Sequence, residues 1–105
     1  MNVFYDHLVN LHELHITFDE VGIPLKHRKA LIEMADSTMH HEIFDLLMIE
    51  IPSEHKTYFL EIFSDDPSDV RILEWLKSKV PDVENKIKNR AEEVKTNLKN
   101  EVRNK

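Results

Sequence analysis

Glycine occurs only once in this chain of 105 residues, at Gly22. Hairpin turns in β-sandwiches and barrels depend on glycine, because its backbone reaches the positive φ angles that those turns require. With one glycine, four prolines and 41% hydrophobic residues, the chain is poor in turns and too apolar to be disordered. We expect an all-α protein, a single small domain over residues 1–105 with about five helices.

Apolar residues in the first segment recur at steps of three and four positions, the period of one helical face. They include Phe4, Leu8 and Leu11. The pattern predicts an N-terminal helix over residues 2–15, followed by a loop at about 16–23. It leaves open whether residues 1–20, this helix and loop, pack on the domain or lie at its periphery.

A long central helix is predicted from Leu25 to Ile49, where no proline or glycine interrupts the chain and apolar residues follow one face. Pro24 is expected at or near its first turn, where the missing N–H costs nothing. The apolar stripe broadens towards Ile49, so we expect the C-terminal half to be buried on more than one side.

Two short capped helices follow in the prediction. Ser53 is the expected N-cap of a helix that ends near Phe63. Its expected buried edge consists of Tyr58, Phe59, Ile62 and Phe63.

The second short helix is predicted to begin at Asp66-Pro67-Ser68-Asp69, with Asp66 as N-cap, Pro67 at the first helical position and Asp69 as an acid in the first turn. We expect Pro81 to end or bend this helix, because it steers Val80 towards an extended backbone. We interpret Trp75, the only tryptophan, as packing at the edge of the domain rather than as a recognition residue.

Residues 82–105 predict an amphipathic, charged C-terminal helix, whose last two turns we expect to fray. Residues 86–105 carry seven Lys or Arg and three Glu, a charge of +4, which leaves −10 for the rest of a chain of net charge −6. The apolar residues form a narrow stripe. They are Ile87, Ala91, Val94, Leu98 and Val102.

This narrow stripe has two interpretations. It can dock onto the chain's own long helix, while the Lys and Arg side chains meet the acidic body. Alternatively, part of the helix projects, and the five stripe residues bind a protein partner or a second copy of the chain. The second interpretation predicts a protein–protein interaction module.

Composition restricts the function classes. A net charge of −6 argues against a nucleic-acid binder, which needs a positive face. The chain has no Cys, and the first residues lack the basic region and apolar run of a signal peptide. No apolar run approaches the ~20 residues that span a bilayer, so we expect no membrane insertion and a cytoplasmic location.

Seven histidines are the unusual feature of the composition. His12 and His15 lie one helical turn apart, but two ligands do not make a metal site, and no Glu-x-x-His sequence occurs. We expect no metal or cofactor, and we expect His40 and His41 to make ordinary helix-surface contacts with Asp36 and Asp45. Protonation of all seven would change the formal charge from −6 to +1, which suggests acid-promoted self-association.

The residues show no sign of catalysis. No glycine-rich loop is present to bind a phosphate, and no serine has the glycine-flanked setting of a nucleophile. The acids Asp65, Asp66 and Asp69 are interpreted as helix caps rather than as general acids. We therefore expect that the protein is not an enzyme.

One family resemblance follows from the order of these motifs. The segment Gly22-Ile23-Pro24, the long helix, the Pro-Ser-Glu helix start, Asp66-Pro67, Trp75-Leu76-Lys77 and Val80-Pro81-Asp82 come in sequence before a charged helix. Over about residues 21–100 the chain resembles the small all-helical domains of unknown function that recur in ultrasmall candidate-phylum bacteria. The resemblance implies a helical fold and no particular activity.

The sequence thus favours a small protein–protein interaction module that uses its C-terminal helix. The alternative is a His-containing metal-binding or pH-responsive regulatory protein.

Overall fold

A computed structural model describes residues 3–9 and 11–103, which form five α-helices, two 3-10 turns and no strand. The α-helices are α1 (His12–Val21), α2 (Leu25–Glu50), α3 (Lys56–Asp65), α4 (Arg71–Lys79) and α5 (Val83–Arg103). The 3-10 turns are Asp6–Leu8 and Ser53–His55. The predicted all-α single domain is confirmed, with a long central helix and a charged C-terminal helix.

The predicted helix over residues 2–15 is wrong for residues 3–9, which contain only the 3-10 turn, and right for residues 12–15, which begin α1. Asn2 and Asn10 lie outside the described residues. The chain turns at Asp6, whose carboxylate accepts the Val3 backbone N–H at 2.8 Å, while the Phe4 N–H donates to the Pro67 carbonyl oxygen at 2.8 Å. These bonds tie the segment to the loop before α4. Val3, Phe4 and Tyr5 are buried, so the N-terminal segment belongs to the core.

Helix α1 instead occupies most of the predicted loop at 16–23. Its β-branched residues carry only a small helix penalty, which burial of Leu14 and Phe18 outweighs. The helix ends at Gly22, which has a left-handed φ of 75°, and the Ile23 N–H donates to the Phe18 carbonyl oxygen at 2.9 Å. The only glycine is thus a helix terminator.

Helix α2 matches its prediction closely. Pro24 is the residue just before the helix, with ψ of 144°. The buried side chains lie in the C-terminal two thirds of the helix. They are Ala35, Met39, Ile43, Leu46 and Leu47.

The predicted caps of the two short helices are wrong. Ser53 lies in a 3-10 turn and makes no cap bond, and α3 begins at Lys56. Asp66 closes a separate turn, because its Oδ1 accepts the Ser68 N–H at 3.1 Å. Helix α4 begins only at Arg71, whose backbone N–H donates to Asp69 Oδ1 at 2.9 Å. Of the two acids in this segment, Asp66 therefore bonds within the preceding turn and Asp69 bonds to the first residue of the helix.

Most of the buried apolar side chains form two clusters. The major core joins the N-terminal segment, α2, α3, α4 and the first three turns of α5. The minor core consists of Leu14, Phe18 and Ala35, where α1 meets α2, with the last turns of α5 packed against it. Leu11 and Leu98 contact both clusters. Helix α5 therefore runs along the whole domain.

Candidate functional site

The five stripe residues predicted to bind a partner lie against the chain's own helices. Ile87, Ala91 and Val94 are buried in the major core. Leu98 and Val102 are half-buried and pack on the minor core. In this arrangement the stripe is a packing surface within the domain, as in the first of the two interpretations of α5.

The basic residues of α5 are directed at acids of the helices it crosses. Towards α2, Lys86 Nζ lies 2.9 Å from Glu50 Oε2, and Arg90 Nη1 lies 3.2 Å from Glu42 Oε2. These pairs flank the major core. Part of the positive charge that the sequence concentrates in α5 therefore pairs with acids of α2.

Glu13 of α1 joins two lysines near the minor core. Lys99 Nζ donates to its Oε2 at 2.8 Å, and Lys95 Nζ lies 3.6 Å from its Oε1. The hydrogen bond from Lys99 and the charge of Lys95 lower the pKa of Glu13.

Two further ion pairs lie near this end of α5. Lys95, only 4% exposed, also pairs with Glu92 at 2.7 Å, and Arg103 pairs with Glu20 at 3.0 Å. At this end of α5, ion pairs supplement the packing on the minor core.

Several histidines contact residues of their own helix. The His41–Asp45 pair along α2, at 3.3 Å, confirms the predicted surface contact. The His40–Asp36 pair forms at 3.2 Å, but His40 is half-buried and is not the surface residue that was predicted. The rings of His12 and His15 are 6.2 Å apart. Within residues 3–9 and 11–103, no three His, Asp or Glu side chains come together as metal ligands would.

A cleft between α3 and α4, which we call the Trp75 cleft, is lined by Tyr58, Ile62, Asp69, Arg71, Ile72 and Trp75. The Tyr58 and Trp75 ring centroids are 5.3 Å apart. Trp75 stacks on Phe59 at 6.4 Å, with 14° between the ring planes. Tyr58, predicted at the buried edge of its helix, is 51% exposed, because α3 turns its Phe59 side inwards. The cleft has a volume of about 260 Å³.

Arg71 is fixed at the rim of the Trp75 cleft by Asp69. The guanidinium donates from Nε to both carboxylate oxygens at 3.1 Å, and from Nη2 to Oδ2 at 2.8 Å. This pairing lowers the pKa of Asp69 and raises that of Arg71. The same carboxylate starts α4, so the start of the helix and the orientation of Arg71 depend on one side chain.

A second cavity, which we call the Tyr5 pocket, lies between the N-terminal segment, α2 and α3. Its walls include Tyr5, His40, Phe44, Phe59 and Phe63. Val3, Phe4, His41 and Leu47 also line it, and its volume is about 320 Å³. The Phe59 and Phe63 rings stack at 5.7 Å, and Phe44 lies 6.0 Å from Phe63. Phe59 contributes to this pocket and also stacks on Trp75 of the cleft.

One polar pair stands in the wall of the Tyr5 pocket. Tyr5 Oη and His40 Nδ1 are hydrogen-bonded at 2.5 Å, a contact between residues 35 positions apart. Burial, with smaller effects from the charges of Asp6 and Asp36, raises the pKa of the Tyr5 phenol well above its ordinary value of 10.0. His40 Nε2 lies 3.2 Å from Asp36 Oδ1, without the geometry of a hydrogen bond.

The sequence offered no signal for the Tyr5 pocket, because its walls come from three segments far apart in the chain. The sequence partly indicated the Trp75 cleft, since Trp75 and the acids before its helix stand out in the composition. What the pattern missed is that Tyr58 faces outwards beside it.

Helices that combine the length and apolar composition needed to cross a bilayer are not found in residues 3–9 or 11–103. Comparison with family models, with curated proteins and with solved structures finds no match for this chain.

Proposed function

We propose that this protein is a small protein–protein interaction module whose recognition surface is the Trp75 cleft. The observation that carries the proposal is the grouping of Tyr58, Trp75 and Arg71 at one surface cleft. Tryptophan, tyrosine and arginine are the residue types that contribute most binding energy in protein interfaces. The stripe of α5 packs within the domain and supports the fold that carries this surface.

The cleft is organised before a partner arrives. Trp75 rests on Phe59 of the major core, and Asp69 fixes the Arg71 guanidinium. Ordering such long side chains on binding costs about 0.5–1.5 kcal/mol each, and side chains that are already held avoid much of that cost.

The chemistry of the cleft indicates the kind of partner. The rings of Tyr58 and Trp75 suit an apolar side chain, and Arg71 suits a carboxylate or backbone carbonyl next to it. We therefore propose a protein segment that presents an apolar residue beside an acceptor group.

The test is affinity capture from the native host with identification by mass spectrometry. We expect Tyr58→Ala and Arg71→Ala each to reduce the amount of captured partner at least tenfold. Ile49→Ala is the matched control, because Ile49 is 74% exposed and lies outside the cleft. Circular dichroism verifies that each variant is folded. Equal capture by all variants would contradict the proposed surface.

A second candidate function is pH-responsive regulation, favoured by the bond between His40 and Tyr5. Histidine gains a proton in the mildly acidic range, and a doubly protonated ring can no longer accept the Tyr5 hydroxyl. The expected readout is self-association on going from pH 7.5 to 5.5, measured by sedimentation. Unchanged sedimentation would remove this candidate. The metal-binding alternative has no comparable observation among the described residues.

A further inference from the structure

The walls of the Tyr5 pocket suit a flat molecule. Phe44, Phe59 and Phe63 present rings whose centroids lie 5.7–6.3 Å from one another. Aromatic rings pack favourably against one another face to face with an offset, or edge to face. A planar occupant gains contact with several of these rings at once.

The lining also restricts the charge of the occupant. Among the residues that the structure describes, those that line the pocket include no Asp, Glu, Lys or Arg, and its two histidines, His40 and His41, already pair with Asp36 and Asp45. A charged group in these apolar surroundings would lose its hydration without gaining a partner, which is costly. The occupant is therefore uncharged.

Volume sets the size of the occupant. A cavity of about 150 Å³ holds one benzene molecule. At about 320 Å³, part of it at the open mouth, the Tyr5 pocket has room for a fused two-ring molecule.

The Tyr5–His40 pair specifies one polar group of the occupant. His40 Nε2 lies 3.2 Å from Asp36 Oδ1 without hydrogen-bond geometry, and the negative charge of that carboxylate favours the tautomer with the proton on Nε2. His40 Nδ1 then accepts the Tyr5 hydroxyl proton, and Tyr5 Oη keeps lone pairs that can accept a further hydrogen bond.

We propose that the Tyr5 pocket binds a small, uncharged aromatic molecule that carries one hydrogen-bond donor, of about the size of indole. The donor lies against Tyr5 Oη and the ring system lies among Phe44, Phe59 and Phe63. This site is separate from the Trp75 cleft, and its ligand does not depend on the interaction proposed there.

Indole itself is the probe, titrated into the full chain and followed by NMR. We expect saturable shifts of the Tyr5, His40, Phe44 and Phe63 resonances. The analogue 1-methylindole lacks the N–H donor and is expected to bind about two- to twelvefold more weakly, the range for one net hydrogen bond. Benzoate, which is charged, and 1-hexanol, which is not aromatic, are expected to bind more weakly than indole.

Tyr5→Phe tests the polar contact. The variant keeps the ring and is expected to bind indole and 1-methylindole equally. Tyr58→Phe, which alters the exposed tyrosine of the Trp75 cleft, is the matched control and keeps the wild-type ratio. If Tyr5→Phe does not fold, the ratio of the affinities of the wild-type chain for indole and 1-methylindole is the test of the polar contact.

Three outcomes would overturn the proposal. They are the absence of saturable shifts at the pocket residues, shifts centred on Trp75 instead, and tighter binding of benzoate or 1-hexanol than of indole. Equal affinity of the wild-type chain for indole and 1-methylindole would contradict the donor contact.

Discussion

Helix α5 is held in two different ways along its length. Its first half contributes Ile87, Ala91 and Val94 to the major core, where side chains from the N-terminal segment and three other helices surround them. Its last turns meet a minor core of only three fully buried residues, and there Glu13 and Glu20 of α1 pair with lysines and an arginine. Apolar burial fixes one half, and charge pairing supplements a thin core at the other.

The difference shows how a small domain can extend a helix beyond its main core. Burying an apolar side chain contributes about 1.5–3 kcal/mol, whereas an exposed ion pair contributes about 0–1 kcal/mol. We therefore expect the major core to decide whether the chain folds, and the minor core to decide whether α1 stays attached.

The largest effect is expected from Ile87→Ala. The side chain is fully buried, so the substitution leaves a cavity in the major core and lowers the free energy of unfolding by about 3 kcal/mol. Urea unfolding followed by circular dichroism measures the change, and Ile49→Ala, at an exposed site, serves as control. Equal loss in both variants would contradict the assignment of the major core.

An intermediate effect is expected from Phe18→Ala in the minor core. We expect a loss of about 2 kcal/mol, less than a phenylalanine in a full core would give, because the few neighbours can relax. Hydrogen exchange should become fast in α1 while Met39 and Ile43 stay protected. Ile16→Ala changes an exposed residue of the same helix. It should neither lower the stability to this extent nor make hydrogen exchange in α1 fast. Loss of protection throughout the domain would show that the two cores are one cooperative unit.

The smallest effect is expected from Glu13→Gln, which removes the acid shared by Lys95 and Lys99. The pKa of Glu13 is lower in the folded chain than its ordinary value of 4.5. Its stabilising contribution is therefore complete above about pH 4.5 and is lost as the pH falls through the lowered value. The destabilisation by Glu13→Gln should thus shrink at low pH and also in 1 M salt.

Urea midpoints at pH 6.5 and pH 3, in low and high salt, measure this dependence. Glu93→Gln is the control, since Glu93 lies 3.9 Å from Arg90 and forms only a long pair within α5. If the loss in Glu13→Gln is the same under all four conditions, packing rather than charge holds this end of α5.

Regular patterns in the sequence predicted the elements that depend on local spacing. The uninterrupted stretch from Leu25 to Ile49 predicted α2, and the narrow apolar stripe predicted the packing face of α5. Five of the seven cations of residues 86–105 also pair with acids of α1 and α2, as Arg90 does with Glu42.

Features decided by contacts between distant residues were not predictable in the same way. The spacing of Phe4 and Leu8 fits a helix, but a bond from the Phe4 N–H to the Pro67 carbonyl oxygen belongs to the tertiary fold. Local pattern could not choose between Asp66 and Asp69 as the acid that starts α4. The Tyr5 pocket depends on such long-range contacts, since Tyr5 and His40 are brought together only by folding.

Native-state hydrogen exchange along α5 tests the central claim most directly. We expect the amides from Ile87 to Val94 to exchange only through global unfolding. Those from Leu98 to Val102 should exchange through a local opening of lower free energy that becomes easier in high salt. A single free energy for the whole helix, or fast exchange between Ile87 and Val94, would contradict the account.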